Sequence, residues 1–431
     1  MKPEIHLFIL WDKARVVQDR ILDDIALHFT ILKTYEITWT PSLVVSNFTR
    51  FCGTRLGNSL QYKIDDCGIG EFLVVVVRDN NPIYENKKTF HGPADVNIKM
   101  FEAKQRYRDW TGGGIRVHAT DNIIETNHDL TLLIGKNAND FEATCKDSKV
   151  EKLHRDLEGA NGWESIQQLF YVLNNTVRYA VMRGYGELSS GEFINHGDTD
   201  IMTDDYENMN ILLNAPVYHN IRHKALISIK EQKYLLDIWD CSNTGRNYFD
   251  PVWVQEMLRT SINWNGLQVL NPQNDFYCLL YHCLINKGYI ADDYMKKLMR
   301  YKREFGIIEE DWNKILVAFL RKMKYEIIRP TDTENPFRLS NLDIAEYALR
   351  NSGVCVFSNV NLKVYEKENI LIINSISDFT EVEKDALLSS LKLAKREEPY
   401  NKSLKAFYKS HMPKRIQRYI SKIRKFIKCK K

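Results

Sequence analysis

The sequence predicts an α+β protein of more than one unit, and three observations predict it. The chain has 431 residues, more than one ordinary hydrophobic core serves. Apolar strand-like runs alternate with helical-period segments through residues 1–136. A second set of strands begins after about 161 and turns helical after about 273.

The first unit opens with "IHLFILW" (5–11), a core-strand pattern broken by Asp12, without the basic leader and cleavage site of a signal peptide. "ARVVQDRILDDIALHF" follows with Val17, Ile21 and Ile25 at helical spacing. "ILKTYEITW" alternates as a strand, "SLVVSNFTRFCG" reads as a short helix stopped by Gly53, and "FLVVVV" is a core strand. A helix carrying Arg106 and Arg108 then runs into Gly112–Gly114, "IRVHATD", and a segment opened by Asp121 or Asn122. Residues 137–160 are polar and irregular and are expected to be a linker.

The second unit, 161–330, starts at an Asn161/Glu164 capping-box pattern, and Ile166, Leu169, Phe170 and Leu173 fall on one helical face. "YAVMRG" reads as a strand and "HKALISIKEQKYLLDIWD" as two strands turning near Glu231 and Gln232. "NDFYCLLYHCLINKG" is a helix stopped by Gly288. Residues 331–400 are expected to form a small α+β appendage, and 401–431 a basic amphipathic tail.

Composition narrows the function classes. With 44% hydrophobic and 27% charged residues the chain is of ordinary globular type. Its eight cysteines contain no CxxC pair, so they indicate neither a cysteine zinc site nor a disulfide framework. No run is long and apolar enough to cross a membrane. The net charge of +4 is unevenly spread: twelve of the 60 Lys and Arg lie in 402–431 with no acid among them, leaving 48 to face 56 acidic residues. There Ile416, Ile420, Ile423 and Ile427 recur at helical spacing, which suits an anionic bilayer surface or, as the alternative, a helix that is only solvated. Nucleic acid is not expected, because the body is acidic and lacks an aromatic recognition motif.

The stretch "HGDTDIMTDD" (196–205) carries the densest chemistry. On a strand, Asp198 and Asp200 share a face with Cα atoms roughly 6.5 to 7 Å apart. Such a pair calls for a cation or a shared proton, and Mg²⁺ (or Mn²⁺) prefers oxygen ligands of this kind. Asp237, inside the apolar strand "YLLDIWD", is the expected third acid, with Asp240 behind it. Asp204 and Asp205 are expected to cap the helix "YENMNILL".

"GDTDIMTDDYENMNILL" followed by "KYLLDIWD" resembles a bacterial branch of the polymerase β-type nucleotidyltransferase superfamily, including phosphocholine transferases and fukutin-like proteins of surface glycan assembly. The resemblance covers roughly 163–290. It implies a nucleotidyltransferase-fold α/β domain with a helical extension, and Mg²⁺ held by Asp198, Asp200 and Asp237. In place of the family's Gly-Ser phosphate grip stands "MRGYGELSSGEF", where Arg183, Gly184, Gly186, Ser189 and Ser190 are the available phosphate contacts.

"IRVHATDNIIETNHDL" resembles the region around the phosphate-accepting histidine of nucleoside diphosphate kinases. That resemblance implies a ferredoxin-like N-terminal domain, His118 as phosphoryl carrier and Asp129 as the acid that orients it. Arg106, Arg108, Arg116 and Asn122 are the expected phosphate or ribose contacts. The family's strand-end Lys-Pro-Asp is not kept: "LWDK" offers Lys13, displaced in register. The sequence therefore leads to a cytoplasmic Mg²⁺-dependent transferase of nucleotidyl or phospho-alcohol groups. Its expected partners are a nucleotide or nucleotide-activated small molecule, a glycan acceptor in polysaccharide biosynthesis, and the inner membrane face. The alternatives are an inactive nucleotide-binding scaffold and a phosphohistidine kinase centred on His118.

Overall fold

A computed structural model describes residues 2–57, 59–89, 92–145, 149–183, 185, 199–215, 223–229, 232–241 and 248–328, and short pieces between 337 and 374. The chain is mixed α+β and divides into two compact units, Met1–Thr244 with Thr260–Leu270 and Gly245–Arg259 with Asn271–Lys431. No helix among the described residues is long and apolar enough to cross a membrane.

The larger unit holds two sheets. Its first half runs β1 (Glu4–Leu10), α1 (Gln18–His28), β2 (Thr30–Thr38), α2 (Val44–Cys52), α3 (Leu60–Cys67), β3 (Phe72–Asp79), a hairpin β4 (Tyr84–Thr89) and β5 (Gly92–Asn97), α4 (Ile98–Trp110), β6 (Val117–Ala119) and α5 (Ile123–Ile134). The strands assemble in the order β6-β1-β3-β2, every neighbour antiparallel, a split βαβ arrangement. The central strand β3 is apolar from Phe72 to Val77 because both its faces are covered there. Val74 and Val76 join one cluster, while Leu73, Val75 and Val77 join the other with α1 and α4.

The expected linker is not one. Residues 137–160 contain α6 (Ala138–Thr144) and β7 (Val150–His154), which pairs in parallel with β2 at the sheet edge. Of the few apolar side chains in this polar stretch, Ala138, Phe141 and Leu157 are buried, while Val150 stays exposed. The chain continues through α7 (Ile166–Thr176), β8 (Tyr179–Val181), β9 (Thr199–Thr203), α8 (Tyr206–Leu213), β10 (Lys224–Ile229), β11 (Gln232–Asp240), β12 (Ile262–Trp264) and β13 (Leu267–Val269). The second sheet has the order β10-β11-β9-β8-β13-β12. Helix α7 is capped by Ser165, whose side chain accepts from the Gln168 N–H, not by the Asn161/Glu164 pair; Gln168 Oε1 takes the Glu164 N–H instead.

The compact units therefore cut the chain elsewhere than at 137–160. Leu7 and Ile9 of β1, Leu130 and Leu133 of α5, Leu169 and Phe170 of α7, Ile201 of β9 and Ile238 of β11 share one cluster. Buried Arg50 ties α2 to this layer by donating to the carbonyls of Glu158 and Leu212 at 2.7 and 3.1 Å. Burial pushes its guanidinium down to about 10.

The smaller unit is mainly helical where described, with α9 (Pro251–Arg259), α10 (Pro272–Tyr281), α11 (Asp292–Glu304) and α12 (Trp312–Met323), and it carries four two-residue strands between Phe357 and Asn374. Trp253 stacks on Tyr325 at 5.4 Å in its core. A π-turn over His282–Lys287 ends at Gly288, whose φ of +77° is the expected glycine stop. The basic tail, and residues 375–400 of the expected appendage, lie outside the described residues.

Candidate functional site

His118 sits on the short edge strand β6, opposite Ile9 of β1. Its neighbours Val117 and Ala119 are buried on the α1/α4 face, so by alternation His118 points to the other face, toward α2 and α5. Its Nε2 lies 2.8 Å from Oδ2 of Asp129, and the ring meets Phe51 edge-on at 5.9 Å. Asp129 is completely buried, and its other oxygen, Oδ1, is 2.9 Å from Nδ1 of His128.

Burial alone would raise the Asp129 carboxyl, but the hydrogen bonds and charges of His118 and His128 outweigh it and hold the acid far below the usual carboxylate range. An ionised carboxylate only accepts, so Nε2 of His118 and Nδ1 of His128 each carry a proton. A neutral His118 with the proton on Nε2 has its lone pair on Nδ1, the ring nitrogen that does not meet Asp129.

The turn joining β6 to α5 is pinned from beneath. Thr126 Oγ1 donates to Thr120 Oγ1 at 2.9 Å, and Thr120 Oγ1 accepts from Leu7 N at 3.2 Å. The fully buried His6 ring lies 3.2 Å from the same Thr120 oxygen, and desolvation lowers its pKa despite nearby Glu4. Lys104 donates to the Ala119 carbonyl at 3.1 Å and pairs with Asp121. Glu125, one helical turn before Asp129, places Oε1 4.0 Å from His118 Nε2, while its Oε2 takes the Asp121 N–H at 2.7 Å. Sequence reasoning missed His6, Glu125 and His128. The i, i+4 spacing of Glu125 and Asp129 was the available signal for one of them.

The expected phosphate contacts separate. Arg106 turns to α1 and pairs with Asp24, where Tyr107 also donates, so it belongs to the opposite face of the sheet. Arg116 is engaged by Asp66 and the Thr111 carbonyl, and Asn122 caps α5 by accepting from Glu125 N. Each of the three is thus taken up by a structural partner, across the fold for Arg106 and Arg116 and within α5 for Asn122. Arg108 differs: its Nε donates to the carbonyl of Val117, the residue before His118, at 2.9 Å, and among the described residues no ion pair to it is found. Burial lowers its pKa against the attraction of Asp121, Cys67, Asp66 and Glu125. Lys13, the displaced strand-end lysine, donates to the Asp65 carbonyl.

The second candidate constellation lies on β9 and β11. These strands are parallel and in register, with Asp200 directly opposite Asp237. Leu236, Ile238 and Ile201 face the shared core, so the two acids face away from it. Arg183 Nε and Trp239 Nε1 donate to the two oxygens of Asp200 at 2.7 and 2.8 Å. Lys224 Nζ is 3.8 Å from Asp237, and Asp240 is buried at the end of β11. Asp205 caps α8, accepting from Asn208 N and Nδ2, whereas Asp204 pairs with Arg178 and is no cap. Asp204 precedes the cap position, so its oxygens meet Arg178 instead. Asp198, His196, Gly184, Gly186, Ser189 and Ser190 lie outside the described residues.

A cleft of about 620 Å³ in the smaller unit is lined by Tyr277, Lys314, Phe319, Arg321 and Tyr347, among others, and holds none of the residues singled out from the sequence. No family model, no curated protein and no solved structure matches the chain.

Proposed function

We propose that the chain is a phosphotransferase in which Nδ1 of His118 accepts a phosphoryl group from a nucleoside triphosphate. The observation that carries this reading is the fully buried, ionised Asp129 at 2.8 Å from His118 Nε2, which assigns the lone pair to the outward nitrogen. The β6-β1-β3-β2 order supports the ferredoxin-like, nucleoside diphosphate kinase-like reading of the N-terminal half. Arg108 supplies a cation for the transferred group, and Phe51 packs the ring in place. The nucleophilic pair attacks phosphorus, the P–O bond to the leaving nucleoside diphosphate breaks, and a phosphoramidate forms on Nδ1. The acceptor that later takes the group is an alcohol or phosphate. Incubation with γ-labelled ATP tests the reading: acid-labile, alkali-stable label is expected on the wild type and not on His118→Ala. Equal labelling of both would refute it.

A second reading, metal-dependent nucleotidyl or phospho-alcohol transfer onto a glycan precursor at a membrane, is favoured by the register of Asp200 with Asp237. Their oxygens are the hard donors Mg²⁺ takes, although Arg183 and Trp239 already engage Asp200, so Arg183 has to swing aside for an ion to be held. The bound ion would polarise phosphate oxygens. Mg²⁺-dependent nucleotide binding that is lost in Asp237→Asn supports this reading, and binding indifferent to metal and to the substitution removes it. The scaffold alternative predicts neither label nor metal dependence.

A further inference from the structure

His118, Glu125 and Asp129 bring one nitrogen and two carboxylate oxygens within 4.8 Å of one another. The arrangement follows from the sequence: Glu125 and Asp129 are four apart on α5 and share a face, and β6 carries His118 up to that face. Two acids so placed repel, and the His118 imidazole is the group between them. Nε2 lies 2.8 Å from Asp129 and 4.0 Å from Glu125. Four-coordinate zinc with bonds of about 2.0 Å sets neighbouring donors roughly 3.3 Å apart, so shifts of up to about three quarters of an ångström on each side bring the three atoms to that spacing. The remaining oxygens are already oriented, Glu125 Oε2 by the Asp121 N–H and Asp129 Oδ1 by His128, which is the outer support metal ligands require.

We propose that these three side chains form a binding site for a divalent transition ion of the zinc class, and that the ion and the phosphoryl group compete for the His118 ring. The competing half rests on His118 being the phosphoryl carrier. An imidazole nitrogen among two carboxylates selects zinc-like ions over Mg²⁺ and Ca²⁺, which take oxygen. Competition follows from the proton count of a neutral imidazole. Without metal the single N–H is on Nε2 and the lone pair is on Nδ1. With the ion on Nε2, that proton resides on Nδ1 and the nucleophilic pair is gone. The proton moves within the ring from Nε2 to Nδ1, and no oxidant or reductant is involved.

The test uses the full chain, stripped by chelation and titrated with zinc chloride in a calorimeter. One equivalent is expected on the wild type, weakened at least tenfold in Glu125→Gln and in His118→Asn, with Co²⁺ giving a tetrahedral visible spectrum only on the wild type. Because either variant could fold poorly, diethyl pyrocarbonate modification of wild-type His118, read by mass spectrometry, is a second measurement, and zinc is expected to block it. Zinc is also expected to suppress γ-label at His118 in the wild type and to spare it in Glu125→Gln. Zinc binding that vanishes in the variants, with no label under any condition, upholds the metal site and overturns the phosphoryl reading. Label at His118 with zinc binding absent, or unchanged in both variants, overturns the metal site and leaves the phosphoryl reading standing.

Discussion

Asp129→Asn changes one atom at the centre of the candidate site and has an outcome the geometry dictates. The carboxylate accepts from His118 Nε2 at 2.8 Å and from His128 Nδ1 at 2.9 Å. An asparagine offers one acceptor and one NH₂, so one histidine has to reverse its tautomer to receive a proton instead of giving one. If His118 reverses, Nδ1 carries the proton and is no nucleophile; if His128 reverses, His118 keeps its lone pair but loses the charge that offsets its developing cation. Each hydrogen bond to a charged group contributes roughly 1.5 to 3 kcal/mol, and positioned acid–base assistance is worth about 10²- to 10⁴-fold. Label incorporation should therefore fall at least about 100-fold in single-turnover assays with γ-labelled ATP, while stability drops by about 2 kcal/mol. The stability effect also has a sign in pH. The folded Asp129 is held below its ordinary range, so its contribution is complete above about pH 4 and is lost as pH falls toward the depressed value. Melting profiles of Asp129→Asn should accordingly lose part of their acid limb below about pH 4. Wild-type labelling rates in Asp129→Asn would refute the assignment of the lone pair.

The other predictions concern packing and the cation. Leu169→Ala, in the cluster shared by both sheets, should cost about 2 to 5 kcal/mol and lower the melting of both sheets together, as read by hydrogen exchange; loss of protection confined to one sheet would contradict a common core. Gly114→Ala places a Cβ 2.3 Å from Asp66 Oδ2 at a φ of +76°, so a drop of at least about 1 kcal/mol in thermal stability is expected. Arg108→Gln should weaken nucleotide capture roughly tenfold or more in labelling titrations while leaving the fold's circular dichroism intact. Glu36, drawn down to about 2 by Glu71, Lys152 and Arg15, contributes stability that should fade as pH drops from about 4.3 through about 2, and a Glu36→Gln melt series should lack that component.

Much of the fold was legible where hydrophobic period dominates. The unbroken "FLVVVV" announced a strand covered on both faces, and Ile166, Leu169, Phe170 and Leu173 were read on the apolar face of α7, with buried Val172 missed. The hairpin β4–β5 and the strand β7 were not, because "YENKKT" and "VEKLH" are largely polar and are held by pairing rather than burial. The helix start at Ser165 was displaced because Asn161 with Glu164 matches the same capping pattern one turn early. His118 and Asp129 were readable as a motif. His128 was not, because residues adjacent on a helix diverge by about 100° and nothing in their spacing says that they meet. The grouping of both sheets around one core depends on contacts over more than a hundred residues, which no local pattern records.

The central claim is that Asp129 leaves Nδ1 of His118 as the atom that takes phosphate. Phosphorus NMR of the labelled full-length chain, with the modified residue located by mass spectrometry, tests it most directly. A phosphoramidate on Nδ1 of His118 is the predicted result. Phosphate on Nε2 of that ring, or on any other residue, would contradict the account.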